Sequence, residues 1–179
     1  RGTFEEAYDF DVETGLEGNF VNGFYESEHI RYGEWNFGFP TESQSLLNLP
    51  NAKIIKLFIE DEEFSMLTGE IEDYKRVLHM KEGRITRDLI WVSPKGKKVK
   101  ISVSRFVSFN NKNLMEIRYK VTPLNFSGNL KFISAIDANV ENHTRKTNPL
   151  VDYGPFGKRL ANDYIDSIKD ELYYEGTTL

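Results

Sequence analysis

The sequence predicts a mainly β fold: a large antiparallel β-sandwich of two sheets, in a single domain over residues 1–179. Aromatic residues make up 13% of the chain, and aromatic side chains pack well on the half-buried surface of a pleated sheet. Apolar and polar residues alternate in several short stretches between residues 53 and 140. Turn-forming residues separate these stretches about every ten residues, which is typical of a sandwich.

The clearest alternation predicts a strand with four inward-facing residues: Met115, Ile117, Tyr119 and Val121. Its outward-facing residues are charged: Glu116, Arg118 and Lys120. Earlier in the chain, an acidic turn at residues 60–63 follows the apolar run that ends at Ile59. The next apolar residues predict a second strand through Phe64, Met66 and Leu67.

The first fifty residues are less regular and include an aromatic-rich loop. Four large rings lie within eight residues of this loop: Tyr32, Trp35, Phe37 and Phe39. The interior of so short a loop cannot hold all four rings. We therefore predict that some of them contact another surface, which is the sandwich beneath the loop, another domain or a second copy of the chain. Stacking of Trp35 on a sugar is the alternative.

Near the C-terminus, apolar residues recur at every fourth position: Leu160, Tyr164, Ile168 and Leu172. This spacing predicts a short helix with one apolar face. A pair of strands that ends at Tyr174 is the alternative interpretation of the same residues.

Composition excludes several classes of function. The net charge is −5 with acids and bases interspersed, which disfavours nucleic acid as a partner. No cysteine is present, which excludes disulfides and thiolate metal sites and fits a cytoplasmic location. No apolar run of about 18 residues predicts a membrane span. Because the chain begins with Arg1 rather than methionine, we expect it to be part of a longer protein.

The residue patterns predict no catalytic, cofactor-binding or metal-binding residue. The three histidines, His29, His79 and His143, are far apart and form no HExxH motif. Adjacent carboxylates on a strand point to opposite faces, so Glu62 and Glu63 cannot form a glycosidase pair. Glu70 and Glu72 would share a face, and we interpret them as solvated acids beside a turn. We interpret the glycosylation sequons at Asn125 and Asn142 as chance matches.

Several segments of the chain, in order, resemble the N-terminal domain of glycoside hydrolase family 65. The first three are RGTFEEAY, NGFYESEHIRYGEWNFGFP and LLNLPNAKIIKLFIEDEEFSM. The most specific motifs follow: RxLxMxxGxxTR at Arg76–Arg87, RFxS at Arg105–Ser108 and VTPLNFSG at Val121–Gly128. The resemblance extends from Arg1 to about Asn142.

The resemblance implies a large twisted two-sheet sandwich, or supersandwich, followed by a helical linker and an (α/α) barrel. The family contains maltose, kojibiose and trehalose phosphorylases and related hydrolases, and its catalytic glutamate and phosphate-contacting groups lie in the barrel. It therefore implies a parent enzyme that acts on an α-glucoside, with inorganic phosphate as co-substrate if it is a phosphorylase. The expected partners of the domain are the barrel of the same polypeptide and a second copy in a homodimer.

A hydrolase needs a second carboxylate to activate water, whereas phosphate is already a nucleophile at neutral pH. Those groups would lie outside this chain, so both reactions stay open. An independent carbohydrate-binding β-sandwich module is the alternative function.

Overall fold

The computed structural model describes residues 18–142, 151–152 and 157–179, and the regular structure in this part of the chain is entirely β-strand. The strands are β1 (Tyr25–His29), β2 (Arg31–Tyr32), β3 (Glu42–Leu46), β4 (Asn51–Ile59), β5 (Glu62–Glu63), β6 (Glu70–His79), β7 (Arg84–Val92), β8 (Lys98–Val107), β9 (Met115–Pro123), β10 (Leu130–Asp137), β11 (Val151–Asp152), β12 (Leu160–Ile168) and β13 (Glu171–Thr178). All paired strands with a defined register are antiparallel, which confirms the predicted fold class. Among the described residues no helix is long and apolar enough to cross a membrane.

The described residues fall into two compact units. One contains residues 55–133, and the other contains the described residues of 18–54 and 134–179. The prediction of a single domain over residues 1–179 stays a prediction.

Residues 55–133 contain a four-stranded sheet in the order β6-β7-β8-β9 and most of a three-stranded sheet in the order β10-β4-β5. Side chains from both sheets form one core, which consists of Leu57, Ile59, Phe64, Leu89, Trp91, Val99, Ile101 and Val103. The Trp91 ring meets Phe64 edge to face at 5.3 Å, and its indole nitrogen donates a 2.6 Å hydrogen bond to the carbonyl of Thr68. Packing of two sheets through a common apolar layer defines a β-sandwich in this unit.

The predicted strand from Met115 to Val121 is β9, and its faces are confirmed. Ile117, Tyr119 and Val121 pack against the core, and Tyr119 lies directly opposite Val103 of β8. Met115 lies on the same face but is exposed. The charged residues between them are also exposed, because successive side chains of a strand point to opposite faces.

The acidic turn at residues 60–63 differs from its prediction in three ways. The turn itself is only Glu60–Asp61, because Ile59 lies opposite Glu62, and the strand that follows is the short β5 (Glu62–Glu63). β5 does not continue, because the hydroxyl and carbonyl of Ser65 accept hydrogen bonds that form a tight turn at Leu67 and Thr68. Glu62 is buried and accepts hydrogen bonds from the hydroxyl of Ser93 at 2.8 Å and the backbone N–H of Lys95 at 3.0 Å.

The prediction of a C-terminal helix is wrong, and the alternative of a strand pair is confirmed, although the second strand ends at Thr178 and not at Tyr174. β12 and β13 form a hairpin in which Ile168 lies opposite Glu171, so the turn is Lys169–Asp170. Lys169 has a φ of 55°, in the left-handed region that tight hairpin turns require. A spacing of four residues repeats on a strand face, which has a period of two, as well as on a helix face. The pattern therefore could not separate the two structures.

Candidate functional site

The aromatic loop predicted as a contact surface lies between β2 and β3 and is ordered by local hydrogen bonds. The side-chain carbonyl of Asn36 accepts a 2.8 Å bond from the N–H of Phe37, and the N–H of Phe39 donates to the carbonyl of Asn36 at 3.1 Å. Gly38 has a φ of 89°, which favours glycine at this corner. The loop therefore presents its side chains in a defined arrangement.

The four rings of the loop divide into two pairs. Tyr32 and Phe39 pack against each other with ring centroids 5.1 Å apart, and the hydroxyl of Tyr32 donates to the carbonyl of Pro40 at 2.8 Å. Trp35 is 61% exposed and Phe37 is 92% exposed. Trp35 and Phe37 are therefore the rings most available to a partner, while Phe39 is 44% exposed although it packs on Tyr32.

The most specific family motifs place three arginines on the core-facing side of the four-stranded sheet. Arg76 of β6 lies directly opposite Arg87 of β7, and Arg105 of β8 lies opposite Ile85, one step along the same face. Opposite residues have Cβ atoms about 5 Å apart, so the first two arginines are direct neighbours. The sequence shows the motifs, but only the register of the β6–β7 hairpin shows that Arg76 and Arg87 are neighbours.

Arg87 is almost fully buried, beside Val103 on β8. A buried charge that loses its partner destabilises a protein by several kcal/mol, and all three arginines form further interactions. We interpret this cluster as a structural element. It explains why arginine occurs at set positions in two motifs that carry no catalytic group.

The resolved pKa shifts of the described carboxylates bear on whether one of them is suited to act as a general acid. Three of them have a shifted pKa, and each pKa lies below its usual value because of a hydrogen bond to the carboxylate. The partners are Lys95 for Asp61, Arg84 for Glu82 and Tyr164 for Asp166. A glycosidase acid needs a pKa raised by burial, so these shifts have the wrong direction.

The remaining acidic pair considered from the sequence, Glu70 and Glu72, lies on the exposed strand β6. Both residues are exposed, and a β-bulge between Ile71 and Asp73 interrupts the regular alternation of faces. Glu72 forms an ion pair with Lys98 at 2.5 Å.

In the described part of the chain, no group of three or more His, Cys, Asp or Glu side chains is placed to hold a metal ion. His79 contacts the hydroxyl of Thr86 at 3.0 Å, and His143 lies outside the described residues. A cavity of about 70 Å³ lies between Ile136 and Tyr173. Small-molecule sites usually have about 300 Å³ or more, so this cavity is too small for a disaccharide.

Both sequon asparagines have structural roles. Asn125 accepts a 2.7 Å hydrogen bond from the N–H of Lys98 and donates its amide to the carbonyl of Gly96 at 2.9 Å. Asn142 accepts a 2.8 Å bond from the N–H of Asn48, a residue 94 positions earlier. These hydrogen bonds account for both asparagines, so the sequons that they begin do not require a glycan as their explanation.

Comparison with known proteins gives the same family as the motifs. The family model for glycosyl hydrolase family 65, N-terminal domain, matches residues 1–177. The chain is 45% identical to the alpha,alpha-trehalose phosphorylase of Thermoanaerobacter brockii over 142 residues, which cover 79% of this chain and 18% of that protein. It is 36% identical to the alpha,alpha-trehalose phosphorylase of Geobacillus stearothermophilus over 156 residues, or 86% of this chain and 20% of that protein.

A solved structure with the same fold is among those that match. It is a protein from the human microbiome, provisionally assigned as a kojibiose phosphorylase, and its TM-score is 0.67 at 20% identity. The match covers 94% of this chain and 21% of that chain. The chain thus spans about a fifth of the length of the relatives that it matches.

Together, the sheet architecture and the extent of these matches define a β-sheet domain that occurs in carbohydrate-active proteins. More specifically, the chain belongs to the glycosyl hydrolase family 65 N-terminal domain family.

Proposed function

We propose that this chain is the non-catalytic N-terminal domain of an enzyme that cleaves an α-glucoside such as trehalose, kojibiose or maltose. The observation that carries the proposal is the family match over residues 1–177, combined with relatives of which the matched region covers only about a fifth. In this proposal the parent polypeptide continues into an (α/α) barrel that holds the catalytic glutamate. A cytoplasmic location is part of the same proposal.

The chemistry of the described residues supports a non-catalytic role. Asp61 and Glu82 are held as carboxylates by cationic partners, and Glu62 is held by two hydrogen-bond donors in the core. None of these three side chains is arranged to donate a proton to a glycosidic oxygen and then recover it.

The direct test compares residues 1–179 with the full-length parent enzyme. Both are assayed with trehalose, kojibiose and maltose, with and without inorganic phosphate. We expect turnover only by the full-length enzyme, and we expect it to depend on phosphate, because the named relatives are phosphorylases. Turnover by residues 1–179 alone would contradict the proposal, and phosphate-independent turnover would identify the parent as a hydrolase.

We further propose that the tip of the aromatic loop contacts a second copy of the chain in a homodimer of the parent enzyme. Trp35 and Phe37 are exposed on an ordered turn, and aromatic residues of this kind often dominate the binding energy of interfaces. Sedimentation of the parent enzyme against its Trp35→Ser variant tests this. We expect the variant to dissociate at concentrations at which the unchanged enzyme is dimeric, and equal association would exclude the loop from the interface.

The exposed Trp35 ring also supports a second candidate function, a carbohydrate-binding module. Sugars stack on exposed aromatic faces, and a module of this kind would bind polysaccharide without the rest of the enzyme. Retention on insoluble α-glucan that is lost in Trp35→Ser would favour this second function. Equal elution of both proteins with the buffer would exclude it.

A further inference from the structure

The four-stranded sheet ends in two turns that together form one surface. The β6–β7 turn and the β8–β9 turn lie at the same end, because β7 and β8 are antiparallel neighbours with Arg84 opposite Phe106. The two turns also touch. A Cβ atom at Gly83 of the first turn would lie 3.0 Å from the ring of Phe109 in the second.

This end of the sheet exposes a cluster of large apolar side chains, which we call the apolar end: Leu78, Met80, Val107, Phe109, Leu114 and Met115. Met80 is 84% exposed and Phe109 is 86% exposed. Val107 and Met115 lie opposite each other on the face that forms the core further along the same strands. Large apolar side chains that are exposed together at one end of a sheet point to a contact site.

The charges around the apolar end are mainly positive. Glu82 forms an ion pair with Arg84 at 2.6 Å, so its charge is neutralised locally. Lys81 and Lys112 are exposed and form no ion pair with other described residues. The surface is therefore locally cationic, although the chain as a whole has a net charge of −5.

We propose that the apolar end binds the catalytic region of the same parent polypeptide, through an apolar surface with acidic residues at its rim. This inference rests on the proposed function, which gives the domain a covalently linked partner that is more than three times its own length in the relatives. A second copy is the less suitable partner. In a two-fold symmetric dimer the apolar end would face itself, so Lys81 and Lys112 would meet like charges.

The test measures solvent access at the apolar end in the full-length parent enzyme. Phe109→Cys is introduced into a cysteine-free background, and its reaction rate with a maleimide is compared with that of Ser127→Cys. Ser127 is a suitable control because it is exposed and lies in the turn after Pro123, at the opposite end of β9. Met80→Cys, from the other turn, provides an independent second position.

We expect the thiols of the Phe109→Cys and Met80→Cys variants to react at least about tenfold more slowly than the thiol of Ser127→Cys in the native enzyme. After denaturation the three thiols should react at equal rates. Equal rates in the native enzyme would overturn the inference. Protection that disappears when a dimer is diluted to monomers would also overturn it, because the partner would then be a second copy. Activity on α-glucosides, measured on the same samples, tests the proposed function separately from the docking site.

Discussion

The two ends of the four-stranded sheet present the same face to different surroundings. At one end Trp91, Val99 and Ile101 are fully buried under β4 and β5. At the other end Val107 and Phe109 are exposed. The pairings of β7 with β8 and of β8 with β9 keep one register between the two ends. The difference shows that packing of a second layer against the sheet, and not the alternation along its strands, decides which apolar residues stabilise this domain.

The largest expected effect tests this comparison directly with two aromatic residues. Trp91→Ala should lower the free energy of unfolding by about 3–5 kcal/mol, because it leaves a cavity and removes the hydrogen bond to Thr68. Phe109→Ala should change it by less than about 0.5 kcal/mol in the isolated domain. Urea denaturation of both variants measures the difference. Similar losses would show that Phe109 is covered within the domain itself.

A smaller effect is expected at the buried carboxylate of the covered end. Glu62→Ala should cost about 1–3 kcal/mol, because it leaves the hydroxyl of Ser93 and the N–H of Lys95 without their acceptor. Glu63→Ala removes only a 3.3 Å ion pair with Lys56 and should cost about 0–1 kcal/mol. Thermal unfolding of the two variants provides the measurement. Equal melting temperatures would mean that the hydrogen bonds of Glu62 contribute nothing.

An intermediate position sharpens the comparison along β9. Ile117 packs against the core but is only partly buried, so Ile117→Ala should cost about 1–2 kcal/mol, less than a fully buried isoleucine would. Glu116→Ala, one position earlier on the outer face, should stay within about 0.5 kcal/mol of the unchanged protein. Urea midpoints distinguish these outcomes. A larger loss for Glu116 than for Ile117 would reverse the assigned faces.

The smallest effect concerns the exposed turn at the covered end. A hydrogen bond from Lys95 holds the pKa of Asp61 below its usual value, and the positive charge of Lys95 adds to this effect. A depressed folded-state pKa stabilises the protein above the unfolded pKa, and this contribution is lost as the pH falls through the folded pKa.

Lys95→Ala should therefore raise the pKa of Asp61, and the stability difference between the two proteins should disappear in acid. Carboxyl-carbon NMR titration of Asp61 measures the pKa in each protein. Lys112→Ala, in the opposite turn, is the matched control and should leave Asp61 unchanged. An Asp61 titration that is identical in all three proteins would remove Lys95 as the cause.

The prediction of strands succeeded where the spacing of apolar residues fits only one kind of secondary structure. Alternation from Met115 to Val121 fits only a period of two, and the faces of β9 follow from it. The residues from Leu160 to Leu172 satisfied two periods at once, so the helix and the hairpin could not be separated. The strand predicted after the acidic turn failed because Ser65 forms a local turn that competes with strand pairing.

For the candidate contact residues, too, part of the arrangement could be predicted from the sequence and part could not. The number and spacing of the four rings in the aromatic loop predicted that they could not all pack inside it. The sequence did not predict which rings project, because the packing of Tyr32 on Phe39 depends on the corner at Gly38. The apolar end was not predicted, since Met80 and Phe109 are far apart in sequence and lie at the same end of the sheet only because of the β7–β8 register.

By itself, the sequence determined the β class, the faces of β9 and the family, because these depend on local periodicity and on motifs read along one chain. Only the tertiary structure decided that Arg76 meets Arg87, that Glu62 is buried and that the apolar end is exposed. Each of these results depends on residues from different strands. Burial and electrostatics act through space, and strand register and sheet packing determine which distant residues become neighbours.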